Sequence, residues 1–186
     1  MGDVFEFPLR VRYMEADAQG VVFNAWYLTY FDEAFAAFLD ARGLPYQDLI
    51  AAGFDTQLVH SEIDWNSGLR WPQEFRVAVS TARVGTTSVA IDFEARRNGG
   101  EVTCSARTVY VIVATDGSGK RPMPPELAAA LGPPAPLRTG SGVTFAIAAR
   151  KARVRRSVEL ASIEITPCGL VRKPVLLRNQ LPSGWM

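Results

Sequence analysis

The sequence predicts an α+β fold in which a curved, five-stranded antiparallel sheet wraps around a long central helix. Three observations carry that expectation. Residues 5–13 alternate with period two: Phe5, Phe7, Leu9, Val11 and Tyr13 fall on one face, and Glu6, Pro8, Arg10 and Arg12 on the other. That is the signature of a half-buried strand. Residues 25–42 change to helical period, with a narrow polar stripe of Thr29, Asp32, Glu33, Ala36 and Asp40. Four further strand-like segments follow, at roughly 56–65, 74–84, 86–97 and 101–114.

Each element has its own reason. Pro8 lacks an N–H, so the first strand has one side free at that point. The helix, roughly 25 Å long at 1.5 Å per residue, carries Trp26, Tyr27, Leu28, Tyr30, Phe31, Phe35, Phe38 and Leu39. An apolar surface this wide needs cover from more than one direction, which a wrapping sheet supplies. Arg42 ends the helix, with Gly43 as its C′ residue. Val84-Gly85-Thr86 and Asn98-Gly99-Gly100 are short and Gly-containing, so the strands they join pair as antiparallel hairpins. In the fourth strand Val89, Ile91 and Phe93 alternate with Ala90, Asp92 and Glu94. The fifth leaves no polar face across Val109–Val113, which places it mid-sheet or under a partner subunit. A short helix, about residues 124–131, begins at Pro124-Pro125.

A chain of 186 residues, 48% hydrophobic and 21% charged, suits one domain with a buried core. No run approaches the roughly 20 apolar residues of a membrane-spanning helix, so no stable membrane insertion is expected. The opening Met-Gly-Asp-Val-Phe-Glu lacks a basic region, a long apolar run and a myristoylation signal. Cys104 and Cys168 are the only cysteines, and Cys104 sits in a strand-like run as a small buried thiol. The expected location is cytoplasmic. Charge divides the chain. Residues 1–136 hold 11 Lys/Arg against 17 Asp/Glu, and residues 137–186 hold 9 against 2. The break follows Gly132-Pro133-Pro134-Ala135-Pro136, so the expected organisation is a folded domain over 1–136 and a basic, poorly ordered extension over 137–186. The cluster Arg150-Lys151-Ala152-Arg153-Val154-Arg155-Arg156 has no interleaved aromatics for stacking on bases, and nucleic acid is not an expected partner.

The run Tyr13-Met14-Glu15-Ala16-Asp17-Ala18-Gln19-Gly20-Val21-Val22-Phe23-Asn24 joins the first strand to the helix. An aromatic, an acid, Asp-x-x-Gly, a hydrophobic run and a Tyr27-containing helix start resemble the 4-hydroxybenzoyl-CoA thioesterase-like hot-dog family. The resemblance continues through Ile63-Asp64-Trp65, Pro72, Gly85 to Ser88 and Pro125-Glu126-Leu127, covering about residues 5–131. It implies a hot-dog fold and hydrolysis of acyl-CoA thioesters, aliphatic or aromatic, with Asp17 as the catalytic carboxylate. It also implies a substrate site lined by Tyr13, Gly20, Val21, Val22, Phe23, Asn24, Ala25 and Tyr27. No metal or other cofactor is implied, and the family's pockets lie at the subunit interfaces of dimers or tetramers.

The chemistry stands on its own terms. Thioester hydrolysis develops negative charge on the carbonyl oxygen, and unpaired N–H groups at a helix start near Asn24 and Ala25 suit it. A carboxylate a few residues earlier attacks directly or activates water. Against this, Asp17-Ala18-Gln19-Gly20 is also a good type I turn, and Asn24 is a good helix cap as well as a site residue. Tyr13 reads as an inward strand residue or a pocket residue, and Glu15 as a surface group or a support of the site. His60 alternates with Glu62 and Asp64 on a solvated face, and no second histidine exists to share a metal. No Gly-x-Ser-x-Gly elbow marks a serine hydrolase, and Gly117-Ser118-Gly119-Lys120 lacks full phosphate-loop spacing. Arg70, Lys120 and Arg121 are candidates for CoA phosphates or ordinary solvated charges. Two other functions fit the same scaffold: an acyl-carrier-protein thioesterase and a non-catalytic acyl-CoA-binding protein.

Overall fold

The computed structural model describes residues 4–138. The chain runs β1 (Phe5–Arg10), a 3-10 turn (Tyr13–Glu15), α1 (Trp26–Asp40), α2 (Tyr46–Ala51), β2 (Phe54–Trp65), β3 (Glu74–Val84), β4 (Ser88–Arg97), β5 (Val102–Ala114) and α3 (Pro125–Leu131). The five strands form one antiparallel sheet in the order β1-β3-β4-β5-β2. Both expected hairpins form, β3 with β4 and β4 with β5. β1 is an edge strand, as the missing N–H of Pro8 requires.

α1 lies in the curve of the sheet because its two apolar flanks both find partners. Tyr27, Tyr30, Phe31, Ala34, Phe35, Phe38 and Leu39 are buried. Phe31 stacks on Phe93 of β4 at 4.9 Å, Phe35 on Tyr110 of β5 at 4.9 Å, and Tyr30 packs on Phe75 of β3 at 5.0 Å. Each fully buried aromatic of this kind stabilises the fold by about 1.5–3 kcal/mol. The helix ends where Gly43, at φ 77°, turns the chain into a conformation other residues resist. Its amide bonds to Asp40 O at 3.0 Å, and that of Leu44 returns to Leu39 O at 3.0 Å.

The far end of the core is closed by α3. Leu127, Ala130 and Leu131 are buried, and the Arg42 guanidinium sits 4.2 Å over the Phe38 ring while donating to Ala130 O. Beyond α3 the chain crosses the outer face of the sheet. Ala135 N bonds to Thr81 O, and Ser80 Oγ donates to Ala135 O. Arg138 N donates to the fully buried Asp92 carboxylate, which also takes a bidentate pair from Arg107 at 2.7 and 2.8 Å. The Arg138 guanidinium pairs with Asp64. From Thr139 onward the expected basic extension, with Cys168 and the 150–156 cluster, lies outside the described residues.

One open alternative is resolved, and two features differ from expectation. β5 takes the mid-sheet position, and Val109 and Val111 are already buried within the single chain. Its apolar faces therefore give no argument for a partner subunit. α2 was not expected; Pro45 opens it and only Leu49 is buried, too little for a readable period. β1 pairing also stops at Arg10. Val11 stays buried, its N–H on Gln73 O, and the 3-10 turn then rotates Tyr13 outward to 78% exposure. Tyr13 is not an inward strand residue.

Candidate active site

The loop from Ala16 to Ala25 is shaped by a few backbone bonds. Ala16 and Val22 form an isolated bridge, Asp17 N donates to Val21 O at 2.8 Å, and Val22 N reaches Leu69 O at 2.8 Å. At the tip, Gly20 N donates to Asp17 O at 2.9 Å, closing the turn the sequence suggested. Gly20 holds φ 71° with Arg70 Nη1 only 3.3 Å from where a Cβ would sit, so both conformation and space favour glycine. One oxygen of Asp17 accepts Gln19 N–H at 2.8 Å. The other has no hydrogen-bond partner among the described residues. Asp17 therefore serves the turn with one oxygen and presents the other.

Two cavities flank it. One, of about 410 Å³, is lined by Asp17, Val21, Val22, Phe23, Asn24 and Tyr27 together with the Trp65–Gly68 segment after β2. The other, also about 410 Å³, lies between Asp17, Gly20, Tyr13, Met14 and Trp71, where Tyr13 and Trp71 meet edge to face at 5.7 Å. Of the expected residues, only Ala25 lines neither; it is the N-cap position of α1. No side chain caps that helix, so Asn24 lines the cavity without capping. Among the described residues the backbone N–H groups of Asn24 and Ala25 have no acceptor. They are positive ends of peptide dipoles left open at a helix start, beside a carboxylate. Tyr27 is buried, and its hydroxyl accepts Leu69 N–H at 3.3 Å.

Glu15 departs from the surface reading. It is fully buried, with Arg12 and Tyr30 around its carboxylate. Gly68 was missed altogether. A Cβ there would lie 2.7 Å from Val21, so the Trp65–Gly68 wall approaches the loop as only glycine permits. Arg70 lies at the loop, donating to Gln19 O and Gly20 O, whereas Lys120 bridges to Val113 and Arg121 donates to Ser118 at the other end of the sheet.

A further cavity, of about 290 Å³, opens at the opposite end of β2, among Asp32, Phe35, Tyr46, Thr56, Leu58 and Tyr110. Asp32 is exposed as a residue, yet its carboxyl faces this cavity and accepts Tyr110 O–H at 3.0 Å. Burial raises its pKa above the ordinary aspartate value, and the Tyr110 bond works against that rise. Burial, with Asp32 nearby, also pushes the Tyr110 phenol up. Cys104 is inert by comparison, its thiol pushed up to about 12 chiefly by burial.

A sheet curled around one helix, with an acid-bearing loop feeding the open helix start, is the hot-dog architecture. The chain belongs to the thioesterase-like superfamily, whose model matches residues 11–131. A protein of Aquifex aeolicus that carries an esterase name is 33% identical over 73 residues, 39% of this chain and 57% of that protein. The chain thus spans little more than half the length of that relative. A 1,4-dihydroxy-2-naphthoyl-CoA hydrolase of Synechocystis is 25% identical over 122 residues, 64% of this chain and 88% of that one. The crystal structure of a 1,4-dihydroxy-2-naphthoyl-CoA thioesterase from Synechocystis has the same fold, with a TM-score of 0.64 at 23% identity over 69% of this chain and 96% of its own.

Proposed function

We propose that the protein hydrolyses acyl-CoA thioesters to a free acid and CoA, with Asp17 as the reacting carboxylate. One observation carries this reading: an Asp17 oxygen without a partner borders the same cavity as the open N–H end of α1. The thioester carbonyl sits at the N–H groups of Asn24 and Ala25, which stabilise its developing charge. Asp17 either attacks the carbonyl carbon, forming an anhydride that water then cleaves, or takes the proton from the attacking water. CoA leaves as the thiol.

The working unit in this reading is a homodimer joined along β2. That strand has β5 on one side only and exposes Leu58, Val59 and Trp65, an edge suited to a second copy. The Asp32 cavity and the Asp17 cavity lie at opposite ends of β2, roughly 30 Å apart at about 3.3 Å per residue. Antiparallel pairing of β2 with its copy sets the Thr56 end of one chain against the Trp65 end of the other. The Asp32 cavity of one subunit then takes the acyl group of a thioester held by Asp17 of its partner. A cavity walled by Phe35, Leu58 and Tyr110 and ending in a carboxylate suits an aromatic acyl group bearing a hydroxyl. The substrate named for the Synechocystis relative is of that kind.

The test is thiol release from short, long and hydroxy-aromatic acyl-CoAs and from acyl-carrier-protein thioesters. Faster turnover of hydroxy-aromatic CoA thioesters by a dimer supports the reading. Preference for the carrier-protein thioester makes it an enzyme of that class. Tight binding without turnover of any thioester leaves an acyl-CoA-binding protein.

A further inference from the structure

We infer that Glu15 is a positioning residue, which locks the Asp17 loop to the start of α1 through Arg12 and Tyr30. This deepens the hydrolase reading above and rests on it. Glu15 Oε2 accepts the Arg12 backbone N–H at 2.7 Å and the Tyr30 hydroxyl at 2.5 Å. Oε1 accepts Arg12 Nε at 2.5 Å and lies 2.5 Å from Arg12 Nη2. The side chain is wholly buried, and every bond it takes comes from a neighbour that leads toward the site.

Three segments meet at this one carboxylate. Arg12 follows the end of β1, and its guanidinium also lies 5.9 Å from the Trp26 ring at the first turn of α1. Tyr30 is one turn further along α1. The backbone of Glu15 completes the clamp, because its carbonyl accepts Phe23 N–H at 2.9 Å, two residues before the helix N-cap. Asp17 is two residues beyond Glu15 in the other direction. The distance between the Asp17 carboxylate and the open N–H groups of Asn24 and Ala25 is therefore governed from Glu15. No other side chain among the described residues joins the end of β1, the loop and α1 in this way.

The charge on Glu15 matters as much as its shape. A buried carboxylate surrounded only by donors is stable because Arg12 offsets it and each lone pair is used. An amide in its place would point N–H groups at the donors of Arg12 or Tyr30. Burial, then the Glu15 bond, raises Tyr30 well above the ordinary phenol range, so its proton stays on the hydroxyl as the donor of this bond.

The test compares wild type, Asp17→Asn, Glu15→Gln and Tyr30→Phe in steady-state acyl-CoA hydrolysis, well below the melting temperature of each. Misplacing a reacting group by about 1 Å costs on the order of 10²-fold in rate. Glu15→Gln should lower kcat by roughly that factor with KM within about twofold. Tyr30→Phe, which removes one donor and keeps the ring packing, should lower kcat by a smaller factor with the same unchanged KM. A purely structural role predicts lower melting temperatures with kcat per folded molecule intact. That result, in a protein whose wild type turns over and whose Asp17→Asn variant does not, overturns the inference alone. If Glu15→Gln does not fold, Tyr30→Phe decides by the same criterion. A wild type that hydrolyses no thioester overturns the hydrolase reading, and this inference with it.

Discussion

The two ends of α1 are made of similar residues and finished in opposite ways. At the carboxyl end the carbonyls of Ala37, Leu39 and Asp40 are all taken up by the amides that follow. Gly43 turns the chain at φ 77°, the amides of Gly43 and Leu44 return to Asp40 and Leu39, and Arg42 lies over Phe38 on its way to α3. At the amino end Ala25 stands at the N-cap with no side-chain cap, and the N–H groups of Asn24 and Ala25 face no acceptor among the described residues. A helix start without a cap forgoes roughly 1 kcal/mol. That cost is confined to the end that borders Asp17. The closed end holds the fold, and in the proposed mechanism the open end keeps donors free for a developing oxyanion.

The sharpest separation of the two ends comes from Asp17→Asn. The amide keeps the size and can still accept Gln19 N–H, so the turn to Gly20 survives. It is neither an effective nucleophile nor a base. Turnover should fall at least ~10³-fold, about 4 kcal/mol of transition-state stabilisation, with the melting temperature nearly unchanged. If Asp17 were only a turn residue, kcat would persist and stability would fall. Gly68→Ala is next. Its Cβ would meet Val21 at 2.7 Å, and Val21 O holds Asp17 N, so the loop must shift. A loss of about 10²-fold in kcat is expected, read by single-turnover hydrolysis. Gly43→Ala acts at the closed end, where nothing crowds the added methyl and only the backbone conformation objects. It should cost about 1–2 kcal/mol in urea unfolding and leave kcat per folded molecule alone. A drop in kcat from Gly43→Ala would mean that the ends are coupled.

What was legible in the sequence follows the same divide between local and long-range causes. The strands, the aromatic helix and the Asp17–Gly20 turn are written in consecutive residues, and they form within a few residues of the expected bounds. Glu15 was not legible, because its burial depends on Tyr30, fifteen residues away on another element. Gly68 carries no signal of its own; only its approach to Val21 gives it meaning. The Asp32 cavity draws on α1, α2, β2 and β5, and no linear pattern brings those together. Tyr13 was misplaced for a local reason. The period-two pattern runs on in the side chains past Arg10, where the backbone has already left the strand.

The smallest effect expected is at Asp32, which lies between the two ends and belongs to neither. Burial raises its pKa in the folded chain, so the fold favours the protonated form. The stability this contributes is fully present below the unfolded pKa of about 3.9 and is lost as pH rises through the higher folded value. At neutral pH the ionised carboxylate is a mild liability. Asp32→Asn removes the charge while its oxygen still accepts Tyr110 O–H. The melting temperature at pH 7 should rise by about 1–2 °C, a small amount because the side chain is open to solvent on one side. The gain should shrink as the pH is lowered toward 4, where wild-type Asp32 is itself becoming neutral. Kinetics give the same variant a second reading. If the Asp32 cavity takes the hydroxyl end of an aromatic acyl group, KM should rise for hydroxylated acyl-CoAs and stay level for their unsubstituted counterparts. Equal KM changes for both would detach this cavity from the acyl site and leave the Asp17 end of the helix to account for recognition by itself.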